Sequence, residues 1–438
     1  MSNTYQKKSR RAQPDPMAAE AAVPEQVIVS MGEIAGAAKE GLLALAVGTG
    51  LQVMAAMFEE DVARLCGPDG KHNPDRAGYR HGAEAGSVTL GGRRLPVTRP
   101  RVRAADGSGE LHLPSCGLFS STEILGQLAL EKMLAGLSSR RYVRGLEPAG
   151  HAVAETATAT SKSAVSRRFV AATETALADL MSRRLDDLDL VAFMVDGVHF
   201  GEHTCVVALG IGIDGTKHPL AVEEGSTENA TLVTDLITGL RDRGLDVTTP
   251  VLAVLDGAKA LSKAVKDVSG KPLIHRCQEH KIRNVKDKLP EKLRAVTERR
   301  MRQAYHAESA LQAEGLLTAL AAELDKTHPG AAASLREGMA ETLTTLRLGV
   351  PPTLARTLRS TNTIESMIEI CREHSKNVKR WRDGTMALRW CAAGMVEAGH
   401  QFRRVNGHLH LPKLRAALDA HFTGNVTAVN QNEDQKAA

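Results

Sequence analysis

Apolar positions along this chain recur with two different periods, and the order of those periods predicts the architecture. From about Glu25 to Cys66 the spacing is helical. Ser87-Val88-Thr89-Leu90 and the segment from Arg93 to Val97 then flank Gly91-Gly92, a two-residue hairpin turn. Thr122–Leu137, Ser139–Leu146 and Ser161–Arg184 read as helices. Near Leu188 the period changes. Three strand-like runs follow in close order, Leu190–Phe200, Thr204–Ile213 and His218–Val222, with Asp214-Gly215 as a second hairpin turn. A helix over Glu228–Arg243, a strand at Val251–Leu255, a helix at Ala258–Val268 and a short strand at Leu273–Arg276 come next. From His280 to about Leu346 the pattern is helical, broken at Pro290 and Pro329, and a last helical region starts near Asn362.

Three antiparallel strands followed by alternating helices and strands is the order of a ribonuclease-H-like mixed sheet, so the fold class is α/β. The long helical stretch after the last strand reads as an insertion into that sheet domain.

Against this pattern three acids stand out. Asp196 interrupts a strand whose apolar residues continue through Val198 and Phe200, where an aspartate is disfavoured unless something compensates it. Asp256 ends the apolar strand Val251–Leu255, a place where α/β proteins commonly carry functional groups, although an N-cap for the following helix would also explain it. Glu365 follows Arg359-Ser360-Thr361-Asn362, and with Asn362 it has the spacing of a capping box; Glu369, one turn on, is its rival. Other Asp-Gly pairs, at Asp69, Asp106 and Asp214, fit plain turns. Carboxylates are costly to bury and repel one another unless a cation neutralises them. Three gathered from distant positions therefore point to divalent metal ions and phosphoryl-transfer chemistry.

Charge sharpens this reading. The formal net charge is only +5, but it is unevenly spread. Arg93, Arg94, Arg99, Arg101 and Arg103 fall in one stretch that contains no acid. Arg276–Arg302 holds ten Lys or Arg against four acids, and Arg372–Arg404 eight against three. One island would pass for a solvated face; three beside candidate metal ligands favour nucleic acid. The segment Ser161-Lys162-Ser163-Ala164-Val165-Ser166-Arg167-Arg168 resembles the start of a recognition helix, with Val165 and Phe169 facing inward and short hydroxyl or basic side chains outward. Ser161 or Ser163 as a plain N-cap explains part of it.

Six cysteines are spread singly and form no disulfide framework. Cys277-Gln278-Glu279-His280 and Cys371-Arg372-Glu373-His374 each have half of a zinc spacing, but their helical contexts and separation argue against a shared site. Trp381 and Trp390, in a basic segment, could stack on a flipped base, but core packing is the better expectation for at least one of them. The uncharged stretch Gly41–Phe58 is rich in Ala, Val and Gly and reads as a buried or oligomeric helix rather than a membrane span. With no secretory signal in the first residues, a reducing, cytoplasmic location is expected.

At this point the residues match something specific. The chain resembles the Mutator-like family of bacterial insertion-sequence transposases from about Leu42 to Arg404. The match rests on Pro100-Arg101-Val102-Arg103, Tyr142-Val143-Arg144-Gly145-Leu146, the Ser161–Ser166 segment, Asp196-Gly197 and Leu255-Asp256-Gly257. It continues in His275-Arg276-Cys277-Gln278-Glu279-His280-Lys281-Ile282-Arg283-Asn284-Val285 and Arg359-Ser360-Thr361-Asn362-Thr363-Ile364-Glu365-Ser366. The resemblance implies that Asp196, Asp256 and Glu365 are a metal-binding DDE triad, with a helical insertion between the second Asp and the Glu. Cys277 and His280 match the family's Cys-x-x-His signature, with Arg276 and Asn362 nearby. Family members cut at the terminal inverted repeats of their element and join the 3′ ends to target DNA.

The expected organisation is a disordered basic tail over 1–24, then a mainly helical DNA-binding and dimerisation region over 25–185. That region carries the hairpin near 87–103 and a helix-turn-helix-like segment near 150–184. A ribonuclease-H-like catalytic domain follows over 186–404, with its insertion at about 285–355, and 405–438 is a C-terminal tail. Two Mg²⁺ (or Mn²⁺) ions about 3.5–4 Å apart are expected per active site. Expected DNA contacts are Arg93, Arg94, Arg101, Arg103, Ser161, Lys162, Ser163, Ser166, Arg167, Lys281 and Arg283. The partners are double-stranded DNA and a second copy of the chain, in the bacterial nucleoid. Two rival readings are an inactive protein that only occupies the repeats and a nuclease that cuts without joining strands.

Overall fold

The structure is a computed structural model that describes residues 41–71, 73–225, 230–270 and 272–423. The basic tail over 1–24, the beginning of the Glu25 helix and the end of the C-terminal tail lie outside those residues. The chain divides into two compact units, one of residues 1–133 and 137–169, the other of 134–136 and 170–438.

The first unit is built on the helix Leu42–Cys66 and a three-stranded sheet in the order β1-β2-β3, with β1 Gly78–Leu90, β2 Arg93–Ala104 and β3 Glu110–Leu111. Leu90 pairs with Arg93 across Gly91-Gly92, both at positive φ (57° and 76°), which is the backbone a two-residue hairpin needs. One helix face, with Val47, Met54, Phe58 and Val62, packs on Val88, Leu95 and Val102 of the hairpin. The helix expected at Ser139–Leu146 is absent. A short 3₁₀ turn, Tyr142–Gly145, takes its place. Gly145 packs so tightly on Leu137 that a Cβ there would collide with it, a contact a regular helix with side chains would not tolerate.

The second unit centres on a five-stranded mixed sheet, in the order β6-β5-β4-β7-β8. Its strands are β4 Leu190–Phe200, β5 His203–Gly212, β6 Lys217–Gly225, β7 Val251–Leu255 and β8 Pro272–Arg276. β4, β5 and β6 are antiparallel neighbours, whereas β4, β7 and β8 run parallel. The helix Ala230–Asp242 lies in the connection from β6 to β7, and Lys259–Val268 in the crossover from β7 to β8. These helices cover the face that presents Phe193, Val195, Ala253 and Leu255. The opposite face presents Ala192, Met194, Val198, Leu252 and Val254 to the helices Asn362–Ser375 and Gly384–Gln401.

Between β8 and the Asn362 helix lies the helical insertion. It is divided at Pro290 and Pro329, which stand at helix starts. Val285, Met301, Leu317, Leu335 and Leu343 give it a core of its own. The stretch read as a tail, 405–438, contributes a helix over 411–423. Leu411, Leu414 and Leu418, at helical spacing, are buried in the sheet core.

Candidate functional site

Side-chain alternation and register bring the first two acids together. Met194 pairs with Val254 across the parallel strands β4 and β7, so Asp196 and Asp256, each two residues on, stand at the same end of adjacent strands. Both share the parity of Met194 and Val254, and therefore the face covered by the Asn362–Ser375 helix. That helix buries Ile364, Met367, Ile368 and Cys371 and turns Glu365 toward the strand ends.

Asp196, Glu365 and Glu369 line an open cleft of about 700 Å³ with His280, Arg283, Arg372 and Glu373. Asp196 is half-buried, and its carboxyl is pushed up to about 7. Burial is the main cause, and the charges of Asp256 and Glu365 add to it against the pull of the Gly197 N–H.

Each acid has one oxygen engaged. Asp196 Oδ1 accepts from the Gly197 N–H at 2.8 Å, Asp256 Oδ1 from the Ala258 N–H at 2.7 Å, and Glu365 Oε1 from the Thr361 hydroxyl at 2.7 Å. Among the described residues the second oxygen of each has no hydrogen-bond partner. Three carboxylates that each keep an oxygen free form a hard donor set, the type that suits Mg²⁺ or Mn²⁺. As they stand, among the described residues, no three His, Cys, Asp or Glu side chains lie close enough to hold a metal ion.

The capping-box explanation for Glu365 does not describe its contacts. Thr361, not Asn362, precedes the first helical residue, and no side chain caps that end. Asn362 is exposed.

Cys277 and His280 flank the acids from the other side. Cys277 is fully buried, and its sulfur accepts the N–H of His280 at 3.5 Å and the N–H of Thr361 at 3.4 Å. Burial alone would raise the thiol, but hydrogen bonds from His280 and Thr361 outweigh it and hold its pKa below the usual value. His280 Nδ1 lies 3.7 Å from Glu365 Oε1, and its pKa is raised, chiefly by the Cys277 hydrogen bond. Cys371 instead packs in the sheet core near the Cys391 carbonyl. Trp381 packs on Phe200 with centroids 4.9 Å apart and rings tilted by 49°, and it meets Trp390 edge-on, so both indoles serve packing.

The expected DNA contacts divide sharply. Ser161, Lys162, Ser163, Ser166 and Arg167 are all exposed at the start of the Lys162–Ser182 helix, while Val165 and Phe169 are buried. Ser161 also caps that helix, accepting the Ala164 N–H at 3.3 Å. Arg103 is exposed and, among the described residues, unpaired. Arg101 donates from Nε and Nη2 to Glu110 Oε2 (3.0 and 2.6 Å), and Arg94 is hydrogen-bonded to Ser87, Thr89 and the Ser120 carbonyl.

Two of the expected contacts are corrected by burial. Arg93 is 5% exposed and donates to the Glu147 and Gly91 carbonyls, which leaves no face for a phosphate. Lys281 is 0% exposed and donates to the Ser334 and Glu337 carbonyls, its pKa lowered to about 8 by burial. Arg276 is likewise buried, donating to the Glu337 carbonyl at 3.2 Å. Arg283 is exposed in the acid cleft. Arg372 stands there too, unpaired among the described residues. It lies two helical turns beyond Glu365, and the sequence offers it only as the first residue of a basic island.

The fold is that of an α/β protein with Asp196 and Asp256 at the same end of two parallel strands and Glu365 in the first turn of the helix that covers them. Its sequence says which one. The model of the Mutator family of transposases matches residues 31–405, and the chain belongs to that family. It is 29% identical over 246 residues to the transposase for insertion sequence element IS6120 of Mycolicibacterium smegmatis, covering 55% of this chain and 75% of that protein. It is 26% identical over 370 residues to the transposase for insertion sequence element ISRM5 of Rhizobium meliloti, covering 83% and 90%.

Proposed function

We propose that this transposase binds the terminal inverted repeats of an insertion sequence, cuts the DNA strand there and transfers the 3′ end into target DNA by a metal-dependent reaction. The observation that carries the reading is that Asp196 and Glu365 line one cleft while the charges of Asp256 and Glu365 both act on the Asp196 carboxyl, each acid keeping one oxygen free. The β6-β5-β4-β7-β8 sheet order supports a ribonuclease-H-like core, with the insertion between the second acid and the third.

Asp196, Asp256 and Glu365 would hold two Mg²⁺ or Mn²⁺ ions, which supply activation of water or a 3′-hydroxyl and charge stabilisation at the leaving oxygen. The protein's own part is positional. Asp196 and Asp256 are fixed by the strand ends and their backbone N–H bonds, and Glu365 by the first turn of its helix. Arg283, exposed beside the acids, would hold the phosphate next to the one being cut. Outside the cleft, the exposed face of Ser161, Lys162, Ser163, Ser166 and Arg167 would read the element end, and Arg103 would grip its backbone. Arg94 and Arg101 contribute to such a surface only if they exchange their present partners. Two element ends must be paired, so the working species is a homodimer or larger, acting in the nucleoid. Among the described residues no helix is long and apolar enough to cross a membrane.

The test is incubation with labelled DNA carrying the source element's end and Mg²⁺, comparing wild type with Asp256→Asn. Cleavage and joining by wild type alone establish the reading. Cleavage without joining points to a nuclease, and binding without metal-dependent cleavage to a repeat-occupying protein. Cutting by both proteins removes Asp256 from the mechanism.

A further inference from the structure

The Cys-x-x-His segment has no part in the reaction as described, yet it is bonded to one of the three acids through a single hydroxyl. Thr361 is fully buried. Its Oγ1 lies 3.4 Å from Cys277 Sγ, 3.3 Å from His280 Nδ1 and 2.7 Å from Glu365 Oε1. A threonine just ahead of a helix ordinarily accepts an N–H of the first turn with this oxygen. Here it makes no cap hydrogen bond, and its hydroxyl goes to the Glu365 side chain instead.

The proton count assigns the direction of the chain. A carboxylate only accepts, and Glu365 is the closest neighbour, so the one Thr361 proton goes to Glu365. The Thr361 oxygen then has only lone pairs left for His280, so His280 Nδ1 carries the proton and donates. Cys277 holds this arrangement from below. Its sulfur accepts the N–H of His280 and the N–H of Thr361, which joins the starts of the Gln278–Lys286 and Asn362–Ser375 helices at one atom. The backbone bond from the Gln278 N–H to the Arg359 carbonyl, at 2.9 Å, ties the same two segments.

We propose that Thr361 is the positioning residue for Glu365. His280 orients the Thr361 hydroxyl, Thr361 fixes Glu365 Oε1, and Oε2 is left for a cation; Cys277 clamps the two helix starts that carry the chain. This gives the Cys-x-x-His segment an indirect role, through Thr361, rather than a metal site of its own. The inference rests on the reading of Glu365 as a ligand of a divalent ion.

The experiment compares wild type with Thr361→Val, which keeps the shape and removes the hydroxyl, and Thr361→Ser, which keeps the hydroxyl. Melting curves and binding to element-end DNA check the fold. Mn²⁺ titration without DNA and Mg²⁺-dependent cleavage are the readouts. The expected result is a Thr361→Val protein that binds end DNA as wild type does, with Mn²⁺ affinity and kcat each reduced about 10–100-fold and KM for DNA unchanged. Thr361→Ser should stay close to wild type. If Thr361→Val does not fold, Thr361→Ala removes the hydroxyl without adding a methyl group and takes its place. Wild-type Mn²⁺ affinity and kcat in the hydroxyl-free variant overturn the inference, and so does an equal loss in Thr361→Ser. A metal-free measurement stands beside these: ¹⁵N-resolved imidazole spectra should show His280 protonated at Nδ1, and the opposite tautomer overturns the chain. A wild-type protein that neither binds Mn²⁺ nor cleaves in Mg²⁺ overturns the functional reading itself, which separates the two failures.

Discussion

The N–H of Cys277 donates to the carbonyl of Leu255 at 2.7 Å, so β8 passes into its helix at the level where β7 ends, one residue before Asp256. That bond sets the second acid beside the Cys-x-x-His segment. It also presses the Asp256-Gly257 turn onto Arg276, and the consequences can be measured.

Gly257 has φ of 106°, and a Cβ there would collide with the buried Arg276 guanidinium. We expect Gly257→Ala to cost well over 1 kcal/mol in urea unfolding, because backbone strain and collision add. Metal-dependent cleavage should fall with it, since the preceding residue in the turn is Asp256. A stability equal to wild type would show that the turn relaxes freely.

Lys281 and the two arginines of the acid cleft should behave oppositely. Replacing Lys281 by Met leaves the Ser334 and Glu337 carbonyls without their buried donor, at a cost of about 1–3 kcal/mol for each group. Folded Lys281→Met protein should show the wild-type salt dependence of DNA binding.

Arg283→Gln and Arg372→Gln, exposed and unpaired among the described residues, should leave the melting temperature nearly unchanged. Each should weaken DNA binding irrespective of sequence and reduce the slope of log K against log salt by about 1, as expected for one lost phosphate contact. Unchanged slopes would remove these arginines from the DNA path.

His275 supplies a pH dependence of stability. It is completely buried, neither ring nitrogen makes a regular hydrogen bond, and burial lowers its pKa from 6.5 to about 4, with the nearby Arg359 backbone offsetting little. Between those two values the unfolded chain binds the proton that the folded one refuses. Stability should therefore fall as pH drops from about 6.5 to about 4, by an amount on the order of 3 kcal/mol at most. His275→Leu should flatten that part of the profile in urea titrations at successive pH values. An unchanged profile would show that other groups control acid unfolding.

Much of this protein follows from local pattern. The strand runs 190–200, 204–213 and 251–255 and the prolines that divide the insertion depend on side-chain period and backbone preference, which neighbouring residues already express. The exposure of Ser161, Lys162, Ser163, Ser166 and Arg167 around a buried Val165 follows in the same way. Asp196 and Asp256 were legible as candidates because a charge in or at the end of an apolar strand is locally anomalous. Local pattern failed where a residue's partners are remote. Arg93 is taken up by a carbonyl 54 positions away and Lys281 by carbonyls more than 50 positions on, so a count of charges could not separate them from Arg103 and Arg283.

By itself the sequence determined most of the order of elements and the family, and it singled out three acids as candidates. The tertiary structure decided which face Asp196 and Asp256 share, that Thr361 holds Glu365, which cations remain free for DNA, and that Leu411, Leu414 and Leu418 belong to the core. The physical reason is the range of the interactions. Period and propensity act within a few residues, whereas register, burial and the direction of a shared proton exist only once distant segments have met.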